Sequence, residues 1–511
     1  MRKRIVADAS PHEVRVALME DGVLKEIQIE QRGHERLVGN IYKGRVANIL
    51  PGMQAAFVDI GLSKNAFLYA GDILADETDF YFSDNHDEQE RVKKKLEVPN
   101  IKKLLNQNQE IMVQVLKQPG GTKGARVTTH ISLPGRLVVL MPTVDHVGVS
   151  KRIENEEERE RLKHLVEEAR PDNVGVIVRT VAEGVDEESI IGEVKFLSRL
   201  WQRIQEKADF VSAPRLIHAE ETLLFRTVRD VFTRDVEAFI INDKDYFEKV
   251  QAVVNILDPS IKDKVMLYEQ KENIFDYYEV ESKIEKALER KVWLKNGCYL
   301  VIDETEALTV IDVNTGKYIG EDNLQDTILN ANIEAAQEIA NQLRLRDISG
   351  IIVIDFIDME SLENKKAVID ALEEALKKDR VKTNVLGMTE LGLVEMTRKK
   401  TRRKLSALSQ RTCPCCHGTG RVYSLDTMAM RVRRELLRQM LAHQDTSVFL
   451  VEMEEDLMNY ISCKNNGNKP IMPLYDDKHF YMKYIKNVYP EYFRVIPNPD
   501  KGMLRDAQMF V

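Results

Sequence analysis

The sequence has little cysteine and no long hydrophobic run. Five cysteines occur among 511 residues, three of them between positions 413 and 416. This excludes a disulfide framework and indicates a reducing compartment with a metal or redox cluster. The apolar runs are far too short to cross a bilayer, and the basic start, residues 1–4, is not followed by the apolar stretch of a signal peptide. We therefore expect a cytoplasmic protein without a membrane segment.

The sequence also lacks the basic excess that usually accompanies nucleic-acid binding. Its net charge of −9 argues by itself against nucleic acid as the main partner. The charge is unevenly distributed along the chain, however. Residues 398–411 contain no acid and seven basic residues: Arg398, Lys399, Lys400, Arg402, Arg403, Lys404 and Arg411. This basic segment is either a solvated helix face or linker, or a local nucleic-acid surface. The length predicts roughly three to five domains.

Short β-rich runs separated by glycine and proline turns fill residues 39–136. Five of them predict a small barrel of the OB type. Such barrels bind single strands by stacking bases on aromatic side chains beside basic groups. The candidates are Tyr42, Lys43, Phe57, Phe67 and Lys123, although an aromatic residue in a strand more often belongs to a core. Residues 76–103 are interpreted as a polar insertion with a basic helix.

A second α/β unit follows the barrel. Strands are predicted at residues 137–141 and 174–178, with an acidic helix at 154–170 between them. Arg179 and Thr180 follow the second strand, and a guanidinium beside a hydroxyl suits a terminal phosphate. A structural ion pair of Arg179 is the alternative. Residues 185–290 read as mostly helical, including 188–207 and 219–239.

Two strand-like runs, residues 308–312 and 351–355, each end in an aspartate. Between them, apolar or small residues recur at helical spacing: Leu324, Ile328, Ala331, Ala335, Ile339 and Leu343. This strand, helix, strand pattern predicts adjacent parallel strands with Asp312 and Asp355 at one edge of the sheet. With Asn314 they form a candidate magnesium site, which manganese would also fit. Asp303 and Asp358 are reserve acids, and turn or cap roles are the alternative.

The cysteine cluster at residues 413–420 contains a Cys-x-x-Cys knuckle, Cys413 to Cys416, typical of zinc sites. Structural zinc takes four ligands and the sequence offers no second knuckle, so two chains would each supply half of a shared site. Cys415 and His417 are competing ligands. A redox dithiol and a c-type haem attachment are further interpretations, and zinc is favoured.

Five motifs together resemble the ribonuclease E/G family over essentially the whole length. They are ID (302–303), DVNTG (312–316), QLRLRD (342–347), IDFIDM (354–359) and the knuckle (413–420). The resemblance implies an endoribonuclease that cuts single-stranded, A/U-rich RNA, favours 5′-monophosphorylated substrates and acts in mRNA decay and rRNA processing. It would leave 5′-phosphate and 3′-hydroxyl ends.

The resemblance also assigns residues and domains. It implies that Asp312 and Asp355 bind Mg²⁺ and are oriented by Asn314. It implies that Cys413 and Cys416 bind Zn²⁺ between subunits of a homodimer or homotetramer. The implied RNA-binding residues are Phe57, Phe67 and Lys123 in the barrel, and Val139, Arg179 and Thr180 at the 5′ end. The implied fold is multidomain α/β and α+β: a split RNase H-like domain (1–38 and 224–288), an OB-type barrel (39–136), a 5′-sensor domain (137–223), a DNase I-like catalytic domain (289–408), a zinc link (409–421) and a small C-terminal oligomerisation domain (422–511).

The sequence departs from the ribonuclease E branch in two respects. Residues 388–393 carry no arginine where that branch has one, and that branch's long disordered scaffold is not expected here. Both favour the G branch. The rival hypothesis is a non-catalytic RNA-binding assembly or processing factor, which would need no paired acids.

Overall fold

The fold is taken from a computed structural model that describes residues 2–31, 36–73, 100–119, 123–316, 324–465 and 477–509. The chain forms two compact units, Met1–Leu408 and Ser409–Val511. The predicted insertion at 76–103 lies largely outside the described residues. None of the helices in these ranges is both long and apolar enough to cross a membrane.

The first sheet of unit one joins the start of the chain to residues more than 200 positions later. Its strands are β1 (Lys3–Ala9), β2 (Glu13–Glu20), β3 (Val23–Gln31), β14 (Val236–Ile241) and β15 (Val265–Leu267). Their order is β15-β14-β1-β2-β3, and β1 pairs with β14 in parallel, Ile5 beside Phe239. Residues 1–38 and 224–288 thus share a sheet, while the RNase H-like label stays a prediction.

Helices cover both faces of this sheet because its strands bury side chains on alternate sides. Ile5 and Leu18 pack on one side and Val6 and Met19 on the other. The helices are α4 (Leu223–Asp230), α5 (Lys244–Leu257), α6 (Ile274–Tyr277) and α7 (Val280–Leu288). The predicted helix at 219–239 is wrong beyond Asp230, because pairing with β1 draws the apolar residues 236–241 into a strand.

The predicted barrel is confirmed as a closed five-stranded barrel in the described part of residues 39–136. It consists of β4 (Ile41–Leu50), β5 (Ala55–Asp59), β6 (Ala66–Tyr69), β7 (Glu110–Lys117) and β8 (Arg126–Thr128), with the single turn α1 (Ile101–Leu104). Pairing of β4 with β7 closes it. A further strand, β13 (Arg215–His218), adds to the free side of β4. Val46, Val58, Leu68, Val113 and Val127 fill the interior.

The second α/β unit has the strands and the acidic helix that the sequence predicts. Its elements are β9 (Leu133–Pro134), β10 (Val138–Met141), β11 (Val147–Val149), β12 (Gly175–Val178), α2 (Glu156–Ala169) and α3 (Glu187–Phe210). The sheet order is β11-β12-β10-β9. Asn155 caps α2 and Asp186 caps α3, each accepting hydrogen bonds from first-turn N–H groups.

The third open sheet of unit one, which we call the third sheet because the barrel is closed, contains the predicted strand, helix, strand motif. Its elements are β16 (Lys291–Trp293), β17 (Tyr299–Glu304), β18 (Leu308–Asn314), α8 (Leu324–Arg346), β19 (Gly350–Asp355), α9 (Leu362–Leu376), β20 (Thr383–Met388), β21 (Leu393–Arg398) and α10 (Leu405–Ser409). The order is β16-β17-β18-β19-β21-β20, with β18 and β19 parallel neighbours, as predicted. Ile311 and Ile354 point toward the core beneath α8 and α9, which contribute Ile339 and Leu372.

Helix α8 also ties this sheet to the first one. Arg344 Nη2 lies 2.8 Å from Glu26 Oε1 and 3.5 Å from Glu20 Oε1, and its side chain is only 5% exposed. A buried guanidinium is tolerated where carboxylates neutralise it, so this ion pair fixes the two sheets relative to each other.

Unit two contains the cysteine knuckle and, after it, a small α/β domain. It consists of α11 (Leu425–Ala442), β22 (Val448–Met453), α12 (Glu455–Asn465), β23 (His479–Tyr484), β24 (Phe493–Pro497) and β25 (Gln508–Met509). The sheet order is β24-β22-β23-β25, and Val432, Phe449 and Leu457 lie in its core.

Candidate functional site

The two candidate acids lie side by side on the solvent face of the third sheet. Asp312 of β18 is in register with Asp355, the last residue of β19, and both side chains are exposed. Adjacent strands are about 4.8 Å apart. The acids therefore come close enough to share one cation.

The predicted position of Asp312 at a strand end needs a correction. β18 continues for two more residues, because Val313 and Asn314 pair with Leu300 and Tyr299 of β17. Alternation buries Ile311 and Val313 and turns Asp312 outward. The site consequently lies on a face of the sheet and not beyond its edge.

Asn314 shares this face with Asp312 and holds it. Its Nδ2 donates a hydrogen bond of 2.8 Å to Asp312 Oδ2. Asp312 and Asp355 are both exposed register partners on this face. The pKa of Asp355 is raised by partial burial and by the negative charges of Asp312 and Asp358. A divalent cation would relieve this repulsion.

The reserve acids have different surroundings. Asp303 accepts hydrogen bonds from Arg290 at 2.5 and 2.6 Å, which hold its pKa below the ordinary value. Asp358 is exposed three residues after Asp355. No group of three or more acidic, histidine or cysteine side chains within the described ranges is arranged to hold a metal. Two carboxylates with open positions nevertheless fit magnesium, which keeps several waters and binds substrate phosphate.

Gly316 of the DVNTG motif is required by close packing. Its φ is +57°, and a Cβ at this position would lie 2.4 Å from the carbonyl oxygen of Gly297 and 3.2 Å from Tyr299 Cδ1. Only glycine permits this approach. The motif thereby brings the chain after Asn314 against the turn between β16 and β17.

Sequence reasoning missed three residues beside the acids. Lys291 Nζ lies 4.0 Å from the ring centroid of Trp293 and 3.5 Å from that of Tyr299. Tyr299 is in register with Asn314, and Trp293 with Tyr299. The available signal was the alternation of these residues with the apolar Val292 and Leu300. We refer to Lys291, Trp293 and Tyr299 as the aromatic–lysine cluster.

The barrel places Phe57 and Phe67 together on its outer side. They are register partners on β5 and β6, with ring centroids 6.1 Å apart in an edge-to-face arrangement. Both are half-buried, whereas their neighbours along the strands face the core. Lys123 is exposed.

The other two barrel candidates, Tyr42 and Lys43, are engaged within the protein. Tyr42 is 5% exposed and lies in the barrel core, because the closed interior takes alternate residues of β4, Tyr42, Gly44 and Val46. Lys43 Nζ donates to the carbonyl of Ala208 at 2.9 Å and pairs with Glu110 at 3.2 Å.

Arg179 sits at the end of β12 in an ion pair. Its Nη1 donates to Asp230 Oδ1 at 2.8 Å and to the carbonyl of Gly135 at 2.7 Å. Burial would raise the pKa of Asp230, but Arg229 and Arg179 lower it overall. Thr180 Oγ1 lies 2.9 Å from Ser150 Oγ, and Val139 pairs with Ile177 in the adjacent strand. Arg179 thus forms a structural ion pair, the alternative to a phosphate site that the sequence leaves open.

The basic segment is smaller on the surface than the sequence indicates. Arg398 is 4% exposed and bonds to Asp379 and Asp347, both at 2.7 Å. Lys404 pairs with Glu304 at 2.9 Å. The exposed basic residues are Lys399, Lys400, Arg402, Arg403 and Arg411. Arg398 is a structural residue because it neutralises two acids from other elements.

The knuckle in unit two presents its cysteines unequally. Backbone N–H groups of Gly420 and Gly418 hydrogen bond to Cys416 and lower its pKa. Burial and the neighbouring thiols Cys413 and Cys416 raise the pKa of Cys415. His417 is exposed with φ +48°. Zinc binds thiolates, so Cys416 suits the role of a ligand better than Cys415.

Comparison with known proteins identifies the family. The family model described as "Ribonuclease E/G family" matches residues 132–401. The chain is 44% identical to Ribonuclease G of Haemophilus influenzae over 494 residues, 96% of this chain and 99% of that one. It is 46% identical to Ribonuclease G of Salmonella typhimurium over 451 residues, 88% and 90% of the two chains. Ribonuclease E of Haemophilus influenzae is 36% identical over 452 residues, but these span only 47% of its length. The chain carrying this acid pair belongs to the ribonuclease E/G family.

Proposed function

We propose that the protein is a metal-dependent endoribonuclease that cuts single-stranded, A/U-rich RNA and leaves 5′-phosphate and 3′-hydroxyl ends. The observation that carries the proposal is the in-register pair Asp312 and Asp355 on the solvent face of the third sheet. Both residues lie inside the segment that matches the family model. A protein that only bound RNA would have no use for two carboxylates facing a phosphodiester.

Asp312 and Asp355, oriented by Asn314, would hold Mg²⁺, or Mn²⁺, and position the scissile phosphate. When bound, the ion would lower the pKa of a water and offset charge on the phosphate during in-line attack. Asp312 and Asp355 supply the negative charge that holds the ion. Asn314 keeps the Asp312 carboxylate in one orientation through its 2.8 Å hydrogen bond. Fixed ligands reduce the reorganisation needed in the transition state.

The barrel would hold the single strand. Phe57 and Phe67 offer exposed ring surface on which bases stack, and Lys123 adds positive charge for the backbone. Stacking requires unpaired bases, which accounts for a preference for single strands in A/U-rich regions.

The 5′ end would be bound at Arg179, Thr180 and Val139. Arg179 is 28% exposed and is held by a carboxylate that is itself shared with Arg229. An incoming monophosphate would replace Asp230 as the acceptor for the Arg179 guanidinium, with the Thr180 hydroxyl as a second donor. A 5′-hydroxyl end carries no charge and would not compete with Asp230.

Two chains would share one Zn²⁺ through Cys413 and Cys416 of each, giving a homodimer or a homotetramer of two such pairs. Zinc takes four ligands, and the described residues of one chain offer two suitable thiols, so a second chain would supply the other two. In the cytoplasm, such an enzyme would serve mRNA decay and rRNA processing.

One assay separates this proposal from a non-catalytic RNA-binding factor. Purified protein is incubated with a 5′-monophosphorylated A/U-rich oligonucleotide and magnesium, and the products are mapped. We expect internal cuts that Asp312→Asn and Asp355→Asn slow by at least about 100-fold while RNA binding persists. Wild-type protein that binds but leaves the RNA intact, or an Asp312→Asn protein that cuts at the normal rate, would contradict the proposal.

A further inference from the structure

We propose that the aromatic–lysine cluster is a nucleobase subsite that seats one base of single-stranded RNA beside the acid pair. This inference rests on the proposed function, since it takes the acid pair as the place of cleavage. It concerns three residues to which neither the family motifs nor the barrel assigns a role.

Trp293 lies on the protein surface. Its side chain is 55% exposed although tryptophan is the largest apolar residue. The two neighbours in the chain, Val292 and Leu294, pack against the core of the third sheet. Trp293 therefore projects from the solvent face of the edge strand β16, where its ring offers an accessible stacking surface.

The cluster combines two neighbouring aromatic rings with one cation. The ring centroids of Trp293 and Tyr299 are 5.2 Å apart with planes inclined by 57°. Lys291 Nζ is held against both rings by cation–π contacts. A base stacked on the exposed side of the Trp293 ring would place its phosphate near this ammonium group. An aromatic surface with an adjacent cation is the usual composition of a single-strand binding site.

The cluster lies on the same face of the third sheet as the acids. Trp293, Tyr299 and Asn314 form one row across β16, β17 and β18, and the neighbouring row runs from Lys291 through Val301 and Asp312 to Asp355. Register partners point to the same face of a sheet. At about 4.8 Å per strand, β16 with Lys291 and Trp293 lies about 10 Å from the strand of Asp312 and about 14 Å from that of Asp355. RNA whose scissile phosphate is at the acid pair can reach the cluster with the base of a nucleotide next to the cut.

Charge supports RNA as the occupant. Asp312, Asp355 and Asp358 make this part of the face negative, and a polyanion needs local cations to approach it. Lys291 supplies one without being engaged by a carboxylate in the contacts that the structure describes for it. Its cation–π contacts leave donors of the ammonium group available to a phosphate.

The first test uses cleavage kinetics at a single position of the substrate. Trp293→Ala should lower kcat/KM by about 10-fold, the value of one lost stacking interaction, whereas Trp293→Phe should retain most of it. For an oligonucleotide with an abasic site at the nucleotide next to the cut, the kcat/KM of the wild type should be lower by a similar factor. Trp293→Ala should lose nothing further on that substrate, because base and ring act as a pair.

The second test reads binding without cleavage. The chain has two tryptophans, Trp201 and Trp293, so Trp201→Phe leaves Trp293 as the only one. In a Trp201→Phe, Asp312→Asn protein, titration with the oligonucleotide should quench the remaining fluorescence, and the abasic oligonucleotide should not. Phe210→Ala, which removes a 90% exposed ring elsewhere, is the matched kinetic control.

The outcomes distinguish the two proposals. If the wild type cuts RNA but Trp293→Ala cuts equally well and the fluorescence stays constant, the subsite is refuted and the proposed function stands. If Trp293→Ala is equally defective on the intact and the abasic substrate, with normal folding by circular dichroism, the ring is structural and the subsite is again refuted. A wild type that cuts nothing overturns the proposed function, and the subsite with it.

Discussion

Asn314 donates its side-chain amide to the Asp312 carboxylate at 2.8 Å, on the strand that pairs with that of Asp355. The hydrogen bond engages one oxygen of Asp312 and does not involve the other. Asn314→Ala should release this carboxylate and lower kcat by about 10- to 100-fold, with little change in RNA affinity, because small displacements of catalytic groups are costly. Single-turnover cleavage and filter binding measure the two quantities.

The matched control is Asp303→Asn on the same sheet. Asp303 is already engaged by Arg290, so its removal should change kcat less than about 3-fold. Equal losses in Asn314→Ala and Asp303→Asn would indicate a general effect on the sheet and not on the acid pair.

For the barrel, Phe57→Ala and Phe67→Ala should each weaken binding of a single-stranded oligonucleotide by about 5- to 100-fold, the value of one base stacked on an aromatic ring. Fluorescence anisotropy under conditions without cleavage provides the measurement. Phe210→Ala removes an exposed ring from the end of α3 and should bind normally. Unchanged affinity in both barrel variants would exclude these rings as the stacking surface.

Arg179→Ala should narrow the difference in cleavage rate between 5′-monophosphate and 5′-hydroxyl substrates. The guanidinium is the charged donor of the proposed end pocket, and its loss removes one charge-assisted hydrogen bond, about 10-fold in the ratio. Arg161→Ala is the control, because Arg161 lies on α2 and pairs with Glu158 at 2.8 Å. A ratio that is the same in wild type and Arg179→Ala would remove the pocket.

The knuckle should hold one zinc per two chains. Elemental analysis combined with light scattering gives this ratio directly. The double variant Cys413→Ser, Cys416→Ser should lose the metal and shift toward monomer, whereas Cys415→Ser should keep both, since its thiol has a raised pKa. One zinc per chain, or metal loss in Cys415→Ser alone, would contradict the shared site.

The pH dependence of stability can be tested at Glu158. Two hydrogen bonds from Arg161 and one from the N–H of Gly184 lower the pKa of Glu158 from 4.5 to about 2. A depressed carboxyl pKa stabilises the fold above pH 4.5, and this contribution is lost as the pH falls from 4.5 toward 2. Glu158→Gln should therefore destabilise by about 1 kcal/mol at pH 7 and less at pH 3.

Thermal unfolding at both pH values measures this difference. Glu157→Gln, an exposed neighbour in the first turn of α2, should show no such pH dependence. A Glu158→Gln effect that is equally large at pH 3 would mean that the carboxylate charge is not its source.

Local patterns were sufficient to predict several elements. Residues 308–314 and 350–355 form adjacent parallel strands joined by α8 because apolar runs and helical spacing are properties of the segments themselves. The barrel strands were predicted on the same basis. Residues 236–241 were assigned to a helix because their strand depends on β1, more than 200 positions earlier.

Side-chain surroundings were harder to predict than elements. Tyr42 and Phe57 are both aromatic residues in barrel strands, and only closure of the barrel decides that Tyr42 points inward and Phe57 outward. Arg398 looked like one cation of a basic run, but its partners Asp347 and Asp379 are 51 and 19 positions away. The role of Trp293 depends on which face of its sheet the helices cover. Of these features, only the alternation of Trp293 with apolar neighbours is visible in a local window.

The parallel pairing of β1 with β14 has a consequence for synthesis of the protein. Strands β1–β3 leave the ribosome before residues 236–241, so the edge of β1 is completed only about 200 residues later. At roughly 5–20 residues per second this delay is about 10–40 s. During that interval the barrel and the second α/β unit emerge, while Ile5 and Val6 lack their pairing partners Phe239 and Ile240.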